Sequence, residues 1–506
     1  MDSSWMTTLG NWNPQFLREC RGRLTSRSVG AALGLSGLVQ ILLLLYVWQF
    51  RESLDLYTLP LMGETVFTVL TWVLPYGLFT VGSYYLITDL VQEERRGTLN
   101  FIRLSPRSGQ TILLGKLLGV PILPYLMLGT IMPLHILSGL LARAPLGLFV
   151  SYYLLLLAGC GFMFSAALLS AFLAGKQTIS GGQQSPIALT FSAFTFAFAT
   201  PAFMLWNRYT IWSHFNIHPF LDNAPANLEF VRHLEWWFIP FTRHLLTGHA
   251  FTLLFLGLGS LLIWKILKRR FQQPTATILS KRQSYALTAF LEVLLLGFFL
   301  NSTIMTSADA MRGGLFFLGG FTFFWVVGIL INGLSPSRLA VVDWLRFEQS
   351  QQAKLQDWIW ADKTPAPVAI GFNLLIAAAL QIPWILVCWP ADAQPMQGIL
   401  MVVSTSVASL IFATLLQMIL ISKLRRPWMW AGGTLCLGIF LPPILLAIFQ
   451  IEAPVLWTFV GVPWIAFAED VGSSPLLIGL LGQGLILGML SWQLRLQLRR
   501  MARLSK

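Results

Sequence analysis

The 506-residue chain is 56% hydrophobic and 11% charged, with a mean hydropathy of +0.68, whereas an ordinary soluble domain carries roughly a quarter charged residues. That balance excludes a soluble enzyme and implies an all-α polytopic membrane protein. The net charge of +13 reads as a topology and lipid-surface signal, with no nucleic-acid partner, because the basic residues segregate between loops.

The first segment, 1–28, is polar and contains Arg18, Arg21, Arg23 and Arg27. The apolar run that follows, 29–50, exceeds the short core of a cleaved signal peptide and is expected to span the bilayer and remain. Further runs near 63–91, 109–137, 145–175, 183–206 and 250–268 complete six spans. Beyond the polar stretch Lys268 to Arg282, runs near 284–304, 313–335, 366–390, 398–422, 428–450 and 475–495 supply six more. Cys20, Cys160, Cys388 and Cys436 lie far apart, so neither a disulfide framework nor a zinc site is expected.

Twelve spans put both termini on one side, and that side then holds 28 of the 34 basic residues. The opposite side has only Arg51, Arg143, Arg208, Arg232, Arg243 and Arg312. By the positive-inside rule both termini are cytoplasmic, in what is expected to be a bacterial inner (plasma) membrane. The two halves share a layout: each has a charged inner connector between its second and third spans (Gln92 to Ser108; Pro336 to Pro365) and an aromatic outer segment before its last (Asn207 to His249; Ile451 to Ser474). Two parallel six-helix units, 1–270 and 271–506, are the expected domains.

The sharpest local signal is the run from Gln92 to Pro106. Glu93, Glu94, Arg95 and Arg96 form four consecutive charges that cannot enter the bilayer. Leu99 and Ile102 can face the membrane or the helix bundle, while Glu94, Arg95 and Arg103 can face a partner in the cytoplasm. Gly97 relaxes the backbone, and Ser105 followed by Pro106 has the form of a helix N-cap with proline at the first helical position, restarting the chain into span three. A charged inner loop that simply obeys the positive-inside rule is the plainer reading.

This stretch resembles the E-[RK]-G-T-L-x-x-L-x-x-[TS]-P pattern of ABC-2 type permeases, the membrane subunits of one large class of ABC transporters. It lies where that family places it, between the second and third helices of a six-helix unit. Asn13-Pro14-Gln15-Phe16-Leu17-Arg18-Glu19 with Arg21-Gly22-Arg23 is similar to the family's N-terminal amphipathic helix. The resemblance makes Glu94, Gly97, Thr98, Leu99, Ser105 and Pro106 the matching positions of the segment that couples permease to ATPase. The corresponding segment of the second half has Glu348, Lys354, Asp357, Asp362 and Lys363 but no E-R-G-T-L, which leaves its coupling role open. No G-x-x-x-x-G-K-[ST] occurs, so the resemblance implies no cofactor in this chain, with ATP and Mg on separate ABC ATPase subunits.

Five of the six histidines, His214, His218, His233, His244 and His249, fall in the outer segment 207–249. His214 and His218 could share a helix face, yet no acidic third ligand has metal-site spacing, and interfacial helices anchored by aromatic rings are expected instead, which the resemblance to ABC-2 permeases implies to be short and re-entrant. Glu292 is the one acidic side chain well inside a span, a candidate for a conduit or for a structural hydrogen bond. Gly30/Gly34, Gly115/Gly119 and Gly484/Gly488 have the G-x-x-x-G spacing of close helix packing.

The expected function is therefore the permease subunit of an ATP-driven exporter of an apolar or amphipathic substrate, whose identity the sequence does not name. A secondary transporter of 6+6 architecture would need more ionisable groups in its spans. A membrane-embedded transferase would need convergent acids or bases, and Asp222, Glu229, Glu469 and Asp470 are scattered.

Overall fold

Apolar runs of 20 or more residues form helices in a bilayer because every backbone polar group must find its partner within the segment. In the computed structural model the described residues are 10–53, 56–174, 186–215, 235–273, 277–299, 308–336, 338–351, 354–388, 395–425, 427–460 and 472–504. They form an all-α integral membrane protein in which eleven helices are long and apolar enough to cross a membrane. The expected span 284–304 is not among the eleven. Its helix covers Lys281–Phe299 and carries Lys281, Arg282 and Glu292, which lower its hydropathy, and its expected outer end lies outside the described residues. Two compact units are present, residues 1–234 with 240–274, and residues 235–239 with 275–506.

Unit 1 opens with the short helix α1 (Pro14–Arg23), whose N-cap Asn13 accepts from the Phe16 N–H at 3.1 Å. The spanning helix α2 (Ser26–Gln49) follows. Next, α3 (Leu59–Pro75), a π-helical segment Tyr76–Val81 and α4 (Gly82–Arg95) form one long rod. After a short helix α5 (Thr98–Arg103) come α6 (Gly109–Gly119), α7 (Ile122–Leu141) and α8 (Leu146–Ala174). The unit closes with α9 (Pro186–Phe194), a π-helical segment Thr195–Ala199, α10 (Thr200–Thr210) and α11 (Leu245–Gln272). Helix α8 packs against α4 and α11, and α7 against α2 and α3. One continuous apolar core, with Phe67, Phe79, Leu90, Phe164 and Phe172 fully buried, runs through these helices.

Three local expectations are corrected here. The expected span 109–137 is two helices: Pro121 breaks it, so α6 stands apart from the spanning helix α7. Ser105 and Pro106 do not cap it either. Ser105 donates its N–H to the Ile102 carbonyl at 3.1 Å, closing α5, and the N-cap of α6 is Ser108, whose hydroxyl accepts from the Thr111 N–H at 3.2 Å. Of the three G-x-x-x-G spacings only Gly115/Gly119 is packed. A Cβ on Gly115 would meet Asn13, Gln15 and Phe16, and one on Gly119 would meet Glu19, so this is where α1 crosses α6. The other two pairs face open space.

Unit 2 contains α12 (Lys281–Phe299), then α13 (Ala308–Phe324), a π-helical segment Trp325–Leu330 and α14 (Ile331–Leu334). Its connector holds α15 (Arg338–Gln351) and α16 (Leu355–Trp360). The helices α17 (Ala366–Cys388), α18 (Pro395–Ile421), α19 (Pro427–Ile448), α20 (Pro454–Val460) and α21 (Ser473–Leu504) complete it. Here α18 packs against α13, α17 and α21, and α17 against α12. The five residues 235–239 belong to this unit, where Trp236 and Trp237 donate their indole N–H groups to the Leu294 and Val293 carbonyls at 3.0 Å each.

Candidate functional site

The first connector is rigid for local reasons. Helix α4 continues past its apolar part to Arg95, and Gly97 then takes φ +73°, the left-handed conformation that ends helices most cheaply on glycine. The chain re-enters helix at once in α5, and the Thr98 hydroxyl donates back to the Glu93 carbonyl at 3.2 Å. Leu99 is buried and pins α5 to the core. Phe101 and Leu104, three residues apart, stand out from it at 78% and 83% exposure.

Below this connector lies a cluster of charges contributed by α1, α4 and α6. Lys116 is fully buried, and its ammonium lies 2.6 Å from Asp89, 2.8 Å from Glu93 and 3.2 Å from Glu19. Arg18 pairs with Glu93, and Arg23 pairs with Asp89 at 2.5 Å and with Glu19 at 3.4 Å. Three carboxylates thus meet three cations, and the group is neutral as a whole. Burial pulls the Lys116 ammonium down, but Asp89, Glu19 and Glu93 together outweigh it and hold the group above the ordinary lysine range. Oxygens of Glu19, Asp89 and Glu93 approach one another closely enough to hold a metal ion, but the place between them is taken by Lys116. A cleft of about 520 Å³ opens beside the cluster, lined by Arg18, Gln92, Arg96, Thr98 and Phe101 among others.

Several expected site residues are therefore placed differently. Glu93 points inward to Lys116 and is not a surface contact. Glu94 and Arg103, expected to face a partner, are half-buried and face each other near Arg270 of α11, with Arg103 over the Phe271 ring. Burial lowers the Arg103 guanidinium while Glu94 opposes the shift. Arg95, Arg96 and Pro106 are exposed, and Ser105 is half-buried. The outward face of α5 is thus more apolar than a reading of its charges suggests, because the acidic groups find cations inside the unit.

In the second connector the expected residues disperse. Asp357 caps α16 by accepting from the Lys354 N–H at 2.9 Å, Lys363 lies 3.5 Å from Asp343 at the surface, and Asp362 accepts from the Lys281 N–H at 3.0 Å. Burial pushes the Glu348 carboxyl up. The Lys281 ammonium is buried and donates to the Trp358 carbonyl at 2.6 Å and to the Thr364 hydroxyl. Burial brings it down to about 8, with Asp362 opposing. Glu292 sits apart, deep in unit 2, where it accepts from Gln381 at 2.8 Å and from the Thr322 hydroxyl at 2.9 Å.

Comparison of the chain with protein-family models, curated proteins and solved structures finds no match. What the site can do rests on its geometry alone.

Sequence reasoning missed Lys116, Glu19 and Asp89 as a unit. A lone lysine between Gly115 and Gly119 was the available signal. It also missed His135 of α7, which is buried and bonded to Thr71 at 3.0 Å and Tyr153 at 2.9 Å. Thr71 donates its hydroxyl to the Phe67 carbonyl, so His135 Nε2–H donates to Thr71 and Nδ1 accepts from Tyr153. His214 bonds to the Ile211 carbonyl at 3.2 Å, while His218 lies outside the described residues, as do His233, Asp222, Glu229, Glu469 and Asp470. His249 bonds to Ser151 at 2.7 Å.

Proposed function

We propose that this protein is the permease of an ATP-driven exporter, coupled through its 92–108 connector to a separate ABC ATPase subunit that carries ATP and Mg. The observation that carries this reading is the build of the connector. A helix that leaves the membrane without interruption ends in a short helix turned by Gly97, braced from below by the Lys116 cluster, and presents Phe101 and Leu104 outward. Such an arrangement transmits force, because pushing α5 moves α4 as a rod. Paired exposed apolar side chains beside a charged cleft suit a protein partner more than water. The few charges in the spans favour an apolar or amphipathic cargo.

Helix contacts recur in the two units, α8 against α4 and α11 in the first and α18 against α13 and α21 in the second, which supports two related halves in one chain. Both termini and both connectors then lie in the cytoplasm of a bacterial cell, as the distribution of basic residues favours.

The test is the double variant Phe101→Ser with Leu104→Ser. Both side chains are exposed, so folding should change by less than about 1 kcal/mol. A P-loop ATPase that co-purifies with the wild type, together with ATP hydrolysis by the complex, should be lost from the variant. Retention of both would remove the connector from the mechanism, and transport in ATP-depleted vesicles would overturn the ABC reading itself.

A further inference from the structure

Unit 2 contains a cavity of about 930 Å³ where α15, α16, α17, α18 and α21 converge. That is at the upper end of the roughly 300–1,000 Å³ of ligand pockets. Its lining is largely apolar, with Val368, Leu410, Leu487 and Leu494 beside Thr414. Arg495 and Arg499, one turn apart on α21, line its rim, and among the described residues neither has an ion-pair or hydrogen-bond partner. Glu348 is the single acidic lining residue.

Two arginines on one side of an otherwise largely apolar lining point to an occupant with an acidic head and an apolar body. The position is decided by length. Helix α21 has 32 residues and so is about 48 Å long, against about 30 Å of hydrocarbon. Its basic last turns therefore stand at the membrane surface while Leu487 reaches into the apolar layer.

We propose that this cavity binds one anionic phospholipid, its phosphate between Arg495 and Arg499 and an acyl chain between Leu410, Leu487 and Leu494. A cation pair at a bilayer surface attracts anionic headgroups, and the apolar lining suits an acyl chain. The site lies within unit 2 and does not depend on the ATPase reading.

The experiment uses full-length, detergent-purified, delipidated protein and compares retention of spin-labelled phosphatidylglycerol and phosphatidylcholine. Phosphatidylglycerol should be retained preferentially, and R495Q with R499Q should reduce its retention by about 30-fold, given two basic contacts at a membrane surface. L487W, which leaves the charges in place but fills the cleft, should also displace it. Equal retention of the two lipids, or unchanged phosphatidylglycerol retention in either variant, would overturn the proposal. Displacement by inorganic phosphate as effectively as by the whole lipid would reduce the site to a headgroup anion site and overturn the acyl-chain assignment. Gel filtration and the thermal midpoint establish that each variant is folded.

Discussion

In unit 1 the connector is pinned by Lys116 among three carboxylates, whereas in unit 2 it is pinned by Lys281 against a carbonyl and a hydroxyl, with only Asp362 as counter-charge. The first arrangement is balanced charge for charge and holds α1, α4 and α6 together. The second leaves a buried cation under-compensated, and its pKa falls while that of Lys116 rises. The same residue type thus serves as a keystone in one unit and as an adjustable bond in the other. What differs is the number of acidic neighbours, because desolvation acts on both lysines and only Lys116 has enough opposing charge to overcome it.

The largest expected effect tests the keystone. Lys116→Met would leave three carboxylates facing only Arg18 and Arg23, and removing one partner from a buried ion group costs about 3–5 kcal/mol. Lys281→Met removes a cation that is already poorly compensated and should cost only about 1–2 kcal/mol. Denaturant unfolding in one detergent measures both. Equal losses, or a larger loss at Lys281, would break the comparison.

Packing gives the next effect. Gly115→Ala places a Cβ against Asn13 and the Phe16 backbone and should cost about 1–3 kcal/mol by displacing α1. Gly488→Ala, with nothing near its Cβ, should be neutral or stabilising by up to about 1 kcal/mol. The thermal midpoints of the two variants should move in opposite directions or only the first should move, and a larger fall for Gly488→Ala would show that α1 is not seated on α6.

The smallest effect is the most specific to the comparison. Lys281 titrates near 8 in the folded protein and near 10.4 when unfolded. Between those values the unfolded chain binds more protons, so stability should rise with pH through this window, and the cost of burying the charge is fully felt below it. Lys116 is shifted the other way. Its stabilising contribution is complete below the unfolded value and is lost as pH rises from there through the raised folded one. Lys281→Met should therefore flatten the slope of stability between pH 8 and 10, and Lys116→Arg should leave that slope intact. An unchanged slope in Lys281→Met would assign the titration elsewhere.

The turn of the connector was legible in the sequence because its signal is local: Gly97, read as a relaxed point of the backbone, takes a positive φ between two helices. Leu99 was left open between membrane and bundle, and only the structure puts it in the core. The outward face was misread for a physical reason. Glu93 and Glu94 look like surface acids when only their own helix is considered, but their cations come from α1, α5, α6 and α11. With those charges turned inward, Phe101 and Leu104 remain as the exposed pair. The independence of α6 from the spanning helix was not legible, since it depends on the glycines through which α1 is seated.

Hydropathy summed along the chain determined the class of this protein, because leaving water for a bilayer depends on the composition of each 20-residue stretch and on little else. Which charges lie inside was decided only by the tertiary structure. Lys116 and Glu19 are 97 positions apart, and Arg18 and Glu93 are 75 apart. A buried charge is tolerable only where opposite charges converge on it in space, and that convergence has no periodicity or spacing in the sequence to announce it.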